Sequence, residues 1–149
     1  MRLLKLLGYI WALPHTTVGL LLMIYYGWTK VEWRDGCLEV VAKRQLLGGP
    51  WVAGQTHGWL IFFRNEQDQA NGPLSVHERV HVLQGMIGGV FFVIAYVLNF
   101  LVNMLIFELD FKKAYYEIYF EKKAYAKDYE YELARRVTSK DETRYWGHR

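Results

Sequence analysis

Ser75-Val76-His77-Glu78-Arg79-Val80-His81-Val82-Leu83-Gln84-Gly85-Met86-Ile87-Gly88-Gly89 is the stretch on which the architecture of this 149-residue chain turns. Val76, Val80, Leu83 and Ile87 recur at helical spacing, and Ser75 is the expected N-cap. His77 and His81 stand at i and i+4, so both imidazoles fall on one helix face. Gly85, Gly88 and Gly89 then come in quick succession, so the helix is predicted to kink or end there.

On the C-terminal side, residues 91–107 are almost wholly apolar apart from Asn99 and Asn103. From Phe111 onward aromatics and charges mix, and residues 119–137, free of Gly and Pro, read as a long amphipathic helix. Residues 138–149 hold few large apolar side chains and are expected to form a frayed tail.

On the N-terminal side, residues 6–28 form an uncharged run between Lys5 and Lys30. As one helix these residues would rise ~35 Å, enough to cross a bilayer's hydrocarbon core. Residues 1–30 are therefore expected to be a membrane anchor, with Pro14 and His15 marking a kink or a re-entrant turn. Val-Glu-Trp-Arg and Cys-Leu-Glu-Val-Val-Ala, around Asp35-Gly36, predict two short strands joined by a type I′ turn. Residues 51–53 and 59–63 are further candidate strands, with Gln55, Thr56 and His57 read as a polar interruption and residues 64–73 as a polar loop. The predicted fold class is α+β: an N-terminal membrane helix, a small antiparallel sheet and a helical core containing a glycine-broken apolar helix pair.

Composition narrows the function classes. Hydrophobic residues make up 52% and aromatics 17%, which excludes a disordered chain and suits a core that meets a membrane interface. The net charge of +3 gives no polyanion-binding stripe, so a nucleic-acid partner is not expected. The single cysteine, Cys37, excludes an intramolecular disulfide and a C-x-x-C zinc knuckle.

His77-Glu78-Arg79-Val80-His81 is an H-E-x-x-H motif. Two histidines one turn apart can converge on one zinc ion, and Glu78 is placed to take a proton from water at the open coordination position. Ser75 to Glu78 also fits an S-x-x-E capping box, which explains Glu78 but neither histidine. Gln84 extends the same stripe by a turn. A third ligand is required. Cys37 and His57 are formal candidates, but Glu121 is the better one, because Ala124 at i+3 lets its helix approach closely. Asp128, at i+7 from Glu121, is placed to orient a ligand histidine, and Glu117 competes with Glu121 as the ligand. An exposed amphipathic helix with Glu and Lys on its wet side would account for these carboxylates equally. His57, Tyr115, Tyr116 and Tyr119 are candidates for contact with an oxyanion.

H-E-x-x-H followed by E-x-x-A resembles the gluzincin class of zinc metallopeptidases. More closely, the chain resembles small bacterial membrane-associated HExxH proteins. The shared layout is an apolar segment with Leu13-Pro14-His15-Thr16-Thr17-Val18-Gly19-Leu20, a short β region, His77 to Gln84 as H-E-R-V-H-V-x-Q, and an apolar helix with Ala95-Tyr96. An N-P-F-E-x-E-A-like segment closes that layout, and here Ile118-Tyr119 replace Asn-Pro and Lys123 replaces the second Glu. The resemblance implies a Zn2+-dependent peptidase in the bacterial inner membrane, with residues 31–137 as the zincin-like domain. It would cleave a peptide or membrane-protein substrate with zinc-activated water, using His77, His81 and Glu121 as ligands and Glu78 as base. The alternative is a catalytically inactive or metal-free membrane protein serving as a structural or adaptor module.

Topology tests the zinc reading. If residues 77–107 were one straight helix, Phe107 would lie ~39 Å from His81, and the 14 residues on to Glu121 would recover only ~20 Å. A shared site therefore requires a break at Gly88-Gly89, with residues 90–107 running back instead of forming a second full span.

Overall fold

The computed structural model describes residues 2–146, with side chains described for residues 3–136. Two helices open the chain, α1 (Arg2–Trp11) and α2 (Leu13–Tyr26). A hairpin follows, β1 (Trp28–Arg34) and β2 (Cys37–Ala42), then β3 (Gly54–His57) and β4 (Leu60–Phe63). The remainder is helical: α3 (Glu66–Ala70), α4 (Gly72–Gly88), α5 (Val90–Ile106), α6 (Phe111–Tyr116) and α7 (Tyr119–Trp146). The mixed α+β character agrees with the sequence reading.

The sheet is mixed instead of antiparallel, with strand order β1-β2-β4-β3. β1 and β2 pair antiparallel around Asp35 (φ 52°) and Gly36 (φ 86°), the two positive φ angles that a type I′ turn requires. β2 and β4 run parallel, and β3 returns antiparallel on the far edge of β4. The expected polar interruption is thus a strand: β3 consists of Gly54, Gln55, Thr56 and His57. The expected polar loop holds α3, whose N-cap is Asn65.

Strand alternation sends side chains into two cores. Val40, Leu60 and Phe62 face Tyr26, Leu22 and Met23 of α2, while Cys37, Ile61 and Phe63 face Val82, Leu74 and Met86 of α4. β4 is buried on both faces, which is why Leu-Ile-Phe-Phe is continuously apolar.

Residues 6–28 are not one helix. The chain turns through 61° between α1 and α2, and Trp28 already belongs to β1. Pro14 explains the boundary: its ring lacks an N–H and suits the first turn of a new helix. Among the described residues no single helix is long and apolar enough to cross a membrane; two bent pairs, α1–α2 and α4–α5, reach that length and composition only together.

The break after Gly88 is present, and α4 and α5 meet at 117°. Gly89 (φ 53°, ψ −133°) closes α4, and a Cβ there would lie 2.4 Å from the Trp11 indole, so the elbow needs glycine on both counts. The two asparagines of α5 fix what returns. Asn103 donates to the Ala114 carbonyl, and Asn99 accepts from the Tyr119 N–H at the start of α7. α7 then packs along α4 and continues through Trp146 in place of the frayed tail; residues 147–149 of that expectation lie outside the described residues.

Candidate metal centre

Asn71, not Ser75, starts the helix that carries the histidines. Its side chain accepts from the Leu74 N–H, and Pro73 follows in the first turn. Ser75 is instead a partner of Arg79, and Glu78 takes no part in a capping box. Arg79 also reaches the fully buried Glu39 of β2 (2.5 Å), which ties α4 to the sheet.

His77, His81 and Glu121 are buried together, with ligand atoms all within 4.8 Å of one another. His77 Nε2 and His81 Nε2 are 3.1 Å apart, His77 Nε2 is 3.2 Å from Glu121 Oε2, and His81 Nε2 is 3.2 Å from Glu121 Oε1. Donors bound tetrahedrally to zinc at ~2.0–2.1 Å would stand ~3.3 Å apart, so the spacing fits one ion. Ala124, fully buried, gives α7 the close approach that delivers Glu121.

The outer partners fix the tautomers. Asp128 Oδ2 lies 3.1 Å from His77 Nδ1. Gln84 donates its amide to the Phe120 carbonyl, which turns its Oε1 toward His81 Nδ1 at 2.8 Å. Both Nδ1 atoms therefore carry a proton, and both Nε2 atoms face Glu121, where each can hold a further proton or a metal. Glu121 Oε2 is buried and accepts no hydrogen bond, while Oε1 accepts from Tyr96 at 2.6 Å. Two imidazole nitrogens and an orphaned carboxylate oxygen converging in a buried site can hold a cation, and for zinc this set would leave a fourth position open.

The electrostatics follow from the same contacts. Burial works against the imidazolium of His77, but Asp128 and Glu121 outweigh it and push its pKa up to about 10. Burial would likewise raise Glu121, yet His77 and His81 hold it well below the usual carboxylate range. Burial raises Glu78 above an ordinary carboxyl, opposed by His81 and His77. Burial beside Glu121 also raises the Tyr96 and Tyr115 phenols, which stay protonated as donors.

Glu78 is held by the edge strand. Thr56 Oγ1 donates to Glu78 Oε2 at 2.6 Å, and a Cβ on Gly54 would lie 2.4 Å from Glu78 Oε1. These residues line one cavity of about 510 Å³, together with His15, His57, Trp51, Phe92, Tyr115, Tyr116 and Tyr125.

The remaining candidates separate. Glu117 is a half-buried partner of Lys122 at the end of α6 and belongs neither to the triad nor to the cavity lining. Cys37 is a core residue of β2 whose thiol burial pushes up to about 11. His57 lines the cavity but contacts His15, not the triad. Tyr116 lies on the cavity rim, and Tyr119 is exposed outside it. Sequence reasoning missed Tyr96, Thr56 and Gly54. The only local signal was the Gly-Gln-Thr stretch, unusual between apolar runs.

Comparisons with protein-family models, with curated proteins and with solved structures find no match.

Proposed function

We propose that this protein is a zinc-dependent peptidase that works at a membrane surface. One observation supports the reading above all: His77, His81 and Glu121 converge within 4.8 Å in the cavity that also holds Glu78. Zn2+, when bound there, supplies a Lewis acid and lowers the pKa of water. The chain's own residues do the rest. Glu78, raised by burial and aimed by Thr56, takes the proton of the attacking water and passes it to the departing amine. Asp128 and Gln84 keep the histidine lone pairs directed inward.

β3 is an edge strand of the sheet, and Gly54 to His57 line the cavity, so an extended peptide can add beside it as a further strand. Leu4, Leu7 and Ile10 of α1 and Leu98, Leu101 and Leu105 of α5 expose apolar side chains. That surface favours a bilayer as partner and a membrane protein or apolar peptide as substrate.

The test compares wild type and Glu78→Gln at matched zinc content on a mixed set of fluorogenic peptides. A loss of at least ~10²-fold in hydrolysis is expected, with metal retained. Equal rates would remove Glu78 from the chemistry and leave the triad a structural site.

A further inference from the structure

His15 and His57 form a second histidine pair in the same cavity, and no step above uses it. Their rings are 5.1 Å apart, with His57 Nδ1 3.2 Å from His15 Nε2. The Gly58 backbone N–H donates to His15 Nδ1 at 3.1 Å. That single contact orders every proton that follows. A ring nitrogen that accepts carries no proton, so His15 is neutral and protonated at Nε2. His15 Nε2–H then donates to His57 Nδ1, which leaves His57 protonated at Nε2. Burial pushes the His57 pKa down to about 4, with His15 nearby adding to the shift, and this agrees with a neutral ring.

The first turns of α2 grip this arrangement tightly. Thr16 Oγ1 accepts from the Trp59 N–H at 3.4 Å, and a Cβ on Gly58 (φ 64°) would lie 2.0 Å from that oxygen. Gly19 likewise has no room for a Cβ, which would meet the His57 Cβ at 2.8 Å. The chain's last atom, His57 Nε2, is buried without a hydrogen-bond partner. A buried donor lacking an acceptor is destabilising and calls for a functional reason. Phe92 connects the two histidine pairs, with its ring 6.3 Å from His15 and 6.5 Å from His81.

We propose that Gly58, His15 and His57 form a proton-ordered chain ending on His57 Nε2–H, and that this donor binds a carbonyl oxygen of the substrate peptide. The proton order stands by itself; the carbonyl acceptor rests on the peptidase reading. In this assignment His57 touches the substrate and His15 is a positioning residue, so the N-terminal segment contributes to the site.

The experiment has two arms. Long-range 1H–15N correlation on histidine-labelled, zinc-loaded Glu78→Gln protein should show His57 protonated at Nε2 and His15 unprotonated at Nδ1. His15→Phe should return His57 to a mixture of tautomers. A His57 protonated at Nδ1, or insensitive to His15→Phe, would overturn the chain. Adding the best-cleaved fluorogenic peptide to the Glu78→Gln protein should shift the His57 Nε2 signal. In the active protein, His57→Phe should raise KM about five-fold to ten-fold at unchanged kcat and zinc content, the loss of one hydrogen bond made equally to substrate and transition state. His57→Gln, which keeps an N–H donor, should restore part of that binding. An unmoved signal or an unchanged KM would overturn the carbonyl acceptor. If no peptide is cleaved, the acceptor assignment falls with the peptidase reading, whereas the proton order is decided by the spectrum alone.

Discussion

Nε2 of His77 and Nε2 of His81 lie 3.1 Å apart with their lone pairs facing each other, because Asp128 and Gln84 occupy the two Nδ1 atoms. Such an arrangement is repulsive unless a cation, whether a proton or a metal, sits between the rings. Glu121 adds a carboxylate from the opposite helix, and its Oε2 has no other partner. The network is thus complete only in a positively charged state, and although burial works against that charge, Asp128 and Glu121 favour it by pushing the His77 pKa up.

One zinc per chain is the expected stoichiometry, measured by elemental analysis of the purified protein. His77→Ala, His81→Ala and Glu121→Ala should each abolish binding, since two remaining protein ligands seldom hold a catalytic zinc. Glu117→Ala should retain full occupancy, because Glu117 pairs with Lys122 at the surface. Full occupancy in the His77→Ala, His81→Ala double variant would refute the ligand assignment.

Asp128→Ala and Gln84→Ala should leave the ligands in place yet weaken zinc by roughly 10- to 100-fold each, as loss of a histidine's outer partner does elsewhere. Competition with a chelator of known affinity measures this. The melting temperatures of the metal-free variants should stay close to that of the metal-free wild type, because Asp128 and Gln84 are both partly exposed. Affinity unchanged in both variants would mean that the rings are oriented by packing alone.

Much of this site was legible because it is local. H-E-x-x-H needs only one helical turn, Gln84 lies three residues beyond His81, and Ala124 marks the face on which α7 approaches. Gly88-Gly89 revealed the elbow because two adjacent glycines tolerate φ values that other residues resist. What escaped is non-local. Gln55, Thr56 and His57 looked like an interruption since the polar partner of each side chain, namely Tyr26, Glu78 and His15, is distant in sequence. Tyr96 resembled one more aromatic in an apolar helix, and its partner Glu121 lies 25 residues away. Asn71 outcompeted Ser75 as the cap because Pro73 starts the helix earlier. Residues 6–28 are uncharged and mostly apolar, so composition alone did not show that Tyr26 packs against the sheet.

Acid should destabilise the fold through His57. Its pKa is ordinary, near 6.5, in the unfolded chain and about 4 in the folded one, because burial disfavours the imidazolium. Above pH 6.5 both states are neutral and nothing is lost. As pH falls from 6.5 toward 4, the unfolded chain takes up a proton that the folded protein refuses, so stability declines by about 3 kcal/mol in total. Chemical denaturation at pH 7 and pH 4.5 should show wild type losing roughly 2 kcal/mol more than His57→Phe. Equal losses would place the His57 titration at its unfolded value.

Gly54→Ala separates the position of Glu78 from its chemistry. Gly54 has no positive φ, so alanine fits the backbone of β3 without strain. The added Cβ, however, would lie 2.4 Å from Glu78 Oε1 and 2.8 Å from its Cδ, in a cavity wall where Thr56 already holds Oε2. The carboxylate must swing away, losing the Thr56 hydrogen bond, while His77, His81 and Glu121 keep their places on α4 and α7. Zinc content should therefore stay near one per chain, and peptide hydrolysis should fall by ~10²-fold, approaching the rate of Glu78→Gln. Combining Gly54→Ala with Glu78→Gln should add little further loss, because both changes remove the same proton acceptor. A fully additive loss would show that Gly54 acts through the backbone of the edge strand and the peptide that pairs with it. A Gly54→Ala protein as active as wild type would mean that Glu78 does not need the position in which the fold holds it.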